Sequence, residues 1–105
     1  MRVNYKRPFS QYVKKAHKPL QFAMEYAVET ICDNPATGEV KVGDLIGILV
    51  YKFRFNRQEY LVAYRPPIQA QREQADQIGF LIIDFYQVGS HENFFDTLKR
   101  YLREE

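Results

Sequence analysis

Leu49-Val50-Tyr51-Lys52-Phe53-Arg54-Phe55-Asn56-Arg57-Gln58-Glu59-Tyr60-Leu61-Val62-Ala63-Tyr64-Arg65 is the stretch that decides the fold. Leu49, Tyr51, Phe53 and Phe55 fall on one side of an extended chain, and Val50, Lys52 and Arg54 on the other. Successive side chains of a strand point to opposite faces, so this is strand patterning. Asn56-Arg57-Gln58 interrupts with turn chemistry. Tyr60, Val62 and Tyr64 then alternate with Leu61, Ala63 and Arg65, which predicts the second strand of a hairpin. Pro66-Pro67 stops it, because proline brings no N–H to a ladder.

Upstream of the hairpin the period changes. Leu20, Met24, Ala27, Val28 and Ile31 recur every three or four residues and predict an amphipathic helix, ended by Asp33-Asn34-Pro35. An earlier helix is expected from an N-cap at Ser10, with Tyr12, Val13 and Ala16 at helical spacing. His17-Lys18-Pro19 separates the two, and proline is tolerated in a first turn. Val3-Asn4-Tyr5-Lys6 reads as a short strand, and residues 36–44, with Gly38 and Gly43, as turns.

Downstream, residues 68–77 are polar and Gln-rich and predict an exposed loop or a short helix. Phe80 to Val88 is apolar on both sides apart from Asp84, the mark of a buried central strand. Gly89-Ser90 turns the chain into a last helix with a stripe of Phe94, Phe95, Leu98, Tyr101 and Leu102. Lys99, Arg100 and Arg103 sit late in it, where the helix dipole favours cations. The order implies one α+β domain over residues 1–105. It has a small antiparallel sheet, with two N-terminal helices and one C-terminal helix packed against it, all on one face.

The composition narrows the class. A chain of 105 residues holds one domain, and its 15% aromatic content, all Tyr and Phe, suits a packed core. Cys32 is the single cysteine, so no intrachain disulfide can form and a reducing compartment is expected. The longest apolar run is far too short for a bilayer, and Met1-Arg2-Val3-Asn4-Tyr5 has no signal-type stretch. These features predict a soluble cytoplasmic protein that makes no use of a membrane. The net charge is only +2, but residues 1–18 carry six cations and no acid. Lys52, Arg54, Arg57 and Arg65 face a single acid, Glu59, while other acids gather between Glu25 and Asp44. One side of the fold is expected to be basic, as a phosphate-binding surface would be.

Three local patterns resemble the RelE/ParE superfamily of small toxins. Asp33-Asn34-Pro35 followed by Gly43-Asp44-Leu45-Ile46-Gly47 is similar to its passage from the second helix into the sheet. The hairpin already quoted is similar to its central hairpin. Val88-Gly89-Ser90-His91-Glu92-Asn93-Phe94-Phe95, leading into a basic helix, resembles its C-terminal active-site segment. Gly89-Ser90-His91 with Phe95 four residues on matches the YafQ-like branch in particular. Leu61 stands where many RelE-type members carry Arg, and Phe95 where they carry Tyr.

The resemblance implies a type II toxin: a ribosome-dependent mRNA endonuclease that inhibits translation and is bound by a cognate antitoxin. Cleavage of RNA by its own 2′-hydroxyl needs a proton acceptor, a proton donor and cations on the phosphate. His91 is the candidate acid or base, since imidazole titrates near neutrality. Arg54 is expected to grip the scissile phosphate and Phe95 to stack on a base. Lys52, Arg57, Arg65 and Lys99 complete the candidate RNA-binding set. With two histidines and one cysteine, widely spaced, there is no metal motif, and no cofactor is expected. Two alternatives stay open: a ParE-type toxin that poisons DNA gyrase by binding, and a catalytically inactive RNA- or antitoxin-binding module.

Overall fold

In the chain's first half the helices begin where prolines allow. The computed structural model describes residues 2–67 and 81–105. The expectation for residues 68–77, and the Phe80 end of the last strand, lie outside the described residues. Helix α1 spans Arg7–Lys15 and α2 spans Lys18–Asp33, each with a proline in its first turn. There the missing N–H has no intrahelical partner to lose. The first helix thus starts ahead of Ser10, with Lys6 as its N-cap, because Pro8 serves as an entry residue. Asn34 ends α2 and Pro35–Thr37 follows as a single 3₁₀ turn.

Five strands form one sheet: β1 (Arg2–Tyr5), β2 (Glu39–Val40), β3 (Leu49–Phe55), β4 (Gln58–Arg65) and β5 (Ile82–Ser90). Their spatial order is β1-β5-β4-β3-β2. The hairpin pairs Phe55 with Gln58, so its loop is the two residues Asn56 and Arg57, with φ of 52° and 69°. Two left-handed residues match the twist of the flanking strands, the reason such turns close hairpins. β5 is an inner strand, antiparallel to β4, as its two-sided apolar sequence requires. β1 runs parallel to β5, pairing Arg2 with Ile82 and Tyr5 with Phe85, so the sheet is mixed.

The helices do not share one face. Tyr60, Val62 and Tyr64 of β4 pack with Phe9, Met24, Ala27 and Ile31 of α1 and α2. Leu61 and Ala63, from the same strand, pack instead with Phe94 and Leu98 of helix α3 (Phe94–Glu104). Both sides of β4 are apolar, and a strand of that kind needs cover on both. The final helix therefore crosses to the opposite face, which corrects the one-faced expectation. The basic residues divide with it. Lys14 and Lys15 ride on α1, whereas Lys52 and Arg54 lie on the α3 side of β3, opposite Leu61 and Glu59. No single face collects them.

Tyr64 pins the first core to the loop after α2. Its hydroxyl donates to the Pro35 carbonyl at 2.6 Å and accepts from the Gly38 N–H at 2.9 Å. A Cβ on Gly38 would stand 2.7 Å from that hydroxyl oxygen, so only glycine allows the approach.

Candidate active site

Strand register assembles the site. Arg54 lies directly across the hairpin from Glu59, and the next residue, Tyr60, pairs with Ser90 of β5. His91 follows Ser90 at the end of β5, and its main-chain carbonyl accepts from the Phe94 N–H, which shapes the turn into α3. The Gln87 side-chain amide ties the same turn down by donating to the Phe94 carbonyl at 2.9 Å. In this arrangement the imidazole Nε2 of His91 meets the carboxylate of Glu59. Arg54, Glu59 and His91 thus form a row across the ends of three neighbouring strands.

The row is electrically coupled. The hydrogen bond from His91 holds the Glu59 carboxyl below the usual carboxylate range. Desolvation opposes it, and the charges of His91, Lys52 and Arg54 each add a smaller lowering effect. Lys52 is drawn toward Glu39 of β2, at 3.9 Å, and Glu39 also binds Lys41, at 3.4 Å. Lys41 in turn lies over the ring of Phe95, 5.3 Å from its centre. Four cations or potential cations, Lys41, Lys52, Arg54 and His91, therefore ring one solvent-facing patch. The His91 side chain is 53% exposed, open to a polymeric substrate.

Not every sequence candidate joins this group. Arg65 sits six residues along β4 from Glu59, about 20 Å away at ordinary strand rise. There its guanidinium covers the ring of Tyr86 at 5.6 Å, and its Nε is buried without a hydrogen-bond partner. Arg57 occupies the exposed hairpin turn. Lys99 lies one helical turn beyond Phe95 and is half-buried. Phe95 packs against the second core edge-on to the buried Phe94, and Lys41 rests on it. Leu61, where the resemblance points to an arginine, is fully buried in that core. His17 caps α2 on the other face and packs against Phe55. Asp84 accepts from Asn4 at 3.0 Å. Among the described residues no cluster of His, Cys, Asp and Glu could hold a metal ion.

Glu59 and Lys41 are the residues that sequence reasoning missed. Glu59 was traceable: counting back from a two-residue turn places it opposite Arg54. Lys41 was not, because only the short β2–β3 pairing brings it round to Phe95.

The family model for the ParE-like toxin of type II bacterial toxin–antitoxin systems matches residues 3–99. The chain belongs to this family. The match runs from β1 into α3 and so takes in the whole row of Arg54, Glu59 and His91. A toxin of a type II toxin–antitoxin system is paired with an antitoxin protein, so the family implies an antitoxin partner for this chain. No curated protein matches the sequence. No helix among the described residues is long and apolar enough to cross a membrane.

Proposed function

We propose that this ParE-like toxin is an endoribonuclease that cuts mRNA on the ribosome and so arrests translation. The observation that carries the reading is the Glu59–His91 pair with Lys52 and Arg54 beside it. In such a reaction a ribose 2′-oxygen bonds to the adjacent phosphorus while the bond from phosphorus to the 5′-oxygen breaks. The products are a 2′,3′-cyclic phosphate and a 5′-hydroxyl. The 2′-proton must leave, the 5′-oxygen must gain one, and charge builds on the phosphoryl oxygens between these events. Glu59, kept ionised, engages Nε2–H and leaves Nδ1 as the nitrogen that exchanges a proton with RNA. The same carboxylate stabilises the imidazolium that results, the logic of a base oriented by an acid. Lys52 and Arg54 face the developing phosphoryl charge, where fixed cations act most strongly.

The test is His91→Ala in a cell-free translation reaction. Loss of a general acid–base group is expected to slow mRNA cleavage by about 10²–10⁴-fold. Antitoxin binding and the melting temperature should stay near wild type, since the side chain is exposed. A variant within a few-fold of wild type sinks the histidine assignment.

A second reading is favoured by the ParE-like character of the family match. Under it the toxin poisons DNA gyrase by binding, with no proton transfer of its own. Intact mRNA together with gyrase-dependent DNA breaks would establish that reading over the nuclease.

A further inference from the structure

His91 owes its place to a turn. β5 ends at Ser90, and residues 91–93 carry the chain into α3. Asn93 stands in the left-handed region, at φ 56° and ψ 15°, and its side chain does not cap the helix. Few side chains adopt that conformation, and it persists where the surroundings impose it. Two hydrogen bonds meet at Phe94, the first residue of the helix. Its N–H donates to the His91 carbonyl at 3.2 Å, and its own carbonyl accepts from the Gln87 amide at 2.9 Å. The buried ring of Phe94 fixes the residue between them.

Stability alone gives no account of a glutamine at position 87. Gln87 pairs with Ala63, whose side chain lies in the second core, and is only 6% exposed. Its Nε2 makes the bond to Phe94, while its Oε1 is buried with no hydrogen-bond partner among the described residues. An unpaired buried acceptor is costly, and an apolar side chain of similar size would suit the core as well or better. The helix does not depend on the bond either, because a carbonyl has two lone pairs and its own ladder needs only one. What the bond fixes is the first turn of α3 relative to β5. From that turn His91 extends on one side. On the other stands Phe95, whose ring meets Phe94 edge-on and carries Lys41.

We infer that Gln87 is a positioning residue, which acts through Phe94 to hold the His91 imidazole against the Glu59 carboxylate. It is buried and touches no substrate. Without its amide the turn is free to shift, and the exposed His91 side chain shifts with it. Lys52 and Arg54 stand on β3 and keep their places. The geometric part of the inference concerns the Glu59–His91 contact alone, and its effect on cleavage rests on the nuclease reading.

The experiment compares wild type with Gln87→Met, which keeps the length of the side chain and removes its donor. A thermal melt, site-resolved NMR of the Glu59 carboxyl, and mRNA cleavage in cell-free translation are read on each. The variant should melt at or above wild type. Its Glu59 midpoint should rise part of the way toward ordinary glutamates, because Lys52 and Arg54 still lower it. Its kcat should fall by about 10- to 100-fold with KM little changed, the effect of a displaced catalytic group. If Gln87→Met does not fold, Gln87→Asn, which withdraws the amide by one methylene, decides. If neither folds, Gln87 is structural and the inference falls. It falls equally if a folded variant keeps the wild-type Glu59 midpoint, whatever its activity. A midpoint that moves in a protein whose wild type leaves mRNA intact upholds the positioning role and sinks the nuclease reading.

Discussion

The two faces of strand β3 share one backbone and differ in everything built above them. On the first face Leu49, Tyr51, Phe53 and Phe55 are apolar from end to end and pack against the core under α1 and α2. On the second face only Val50 joins a core, and Lys52 and Arg54 continue in its place. Helix length accounts for part of the contrast. The 16 residues of α2 span about 24 Å, whereas the 11 of α3 span about 16 Å. Where α3 gives out, the sheet is bare, and the charged residues of three strands meet there. The lesson is that the site lies on the uncovered part of a covered face. The same packing that buries Leu61 and Phe94 also fixes how Glu59 and His91 approach each other.

The sharpest way to break this comparison is to move a charge from the uncovered part to the covered one. Leu61→Arg places at the centre of the second core the residue that many RelE-type chains carry there. Leu61 is fully buried in the second core with Val50, Ala63 and Leu98. An unpaired buried guanidinium is expected to cost about 4 kcal/mol or more, a large share of a small domain's stability. The opposite exchange, Lys52→Leu at its cross-strand partner, should fall within about 0.5 kcal/mol of wild type. Chemical denaturation measures both. Equal effects would mean that the two halves of the face do not differ as described.

The comparison also separates what the sequence discloses from what it hides. Alternation over Leu49–Phe55 was legible because a half-buried strand must alternate, and the α2 stripe because a helix must bury one side. The passage from the last strand to the last helix was legible, but its turn was placed too early: Gly89 and Ser90 still belong to β5, paired with Leu61 and Tyr60, and the chain turns at residues 91–93. The side of the sheet on which that helix lands was not read, although Leu61 and Ala63 between Tyr60 and Tyr64 already demanded cover on both faces. The parallel β1–β5 pair was hidden for another reason: Asn4 and Asp84 meet across 80 residues, and no local pattern encodes that. Glu59 looked like charge balance in a basic hairpin until register placed it against His91. Arg65 shared a strand with Glu59, but strand length carries it out of reach.

A pH titration sharpens the uncovered half. The folded-state pKa of Glu59 is lowered, so whatever its ion pair adds to stability is present above the ordinary carboxylate value. That contribution is lost as pH falls through the depressed folded value. It should be small, because the pair is solvent-exposed. Site-resolved NMR of the Glu59 carboxyl should give a midpoint below that of ordinary glutamates. In His91→Ala the midpoint should rise toward them, since the hydrogen bond from His91 is the largest cause of the depression. An unchanged midpoint in that variant would show that Lys52 and Arg54 hold Glu59 ionised without the histidine.

The smallest expected effect lies at the hairpin tip, beyond the reach of either core. Arg57 has φ of 69° and Asn56 of 52°. Asn tolerates this left-handed conformation, but Arg there carries a steric cost of about 1 kcal/mol or somewhat more. Arg57→Gly removes that cost and gives the Asn-Gly pair that such turns favour. It also loosens the unfolded chain, which returns roughly half of the gain. The net expectation is stabilisation by about 0.5 kcal/mol, a rise of about 2–4 °C in melting temperature for a domain of this size. Arg57→Ala keeps the strained backbone and should gain nothing, so the pair isolates conformation from charge. Cleavage measured on both variants reads the charge alone. An exposed cation at a turn tip is strongly screened, so both should lose no more than a few-fold, and by the same factor. A Gly variant that melts below wild type would mean that the Arg57 side chain is held by the fold and that the tip belongs to the structured half of the hairpin.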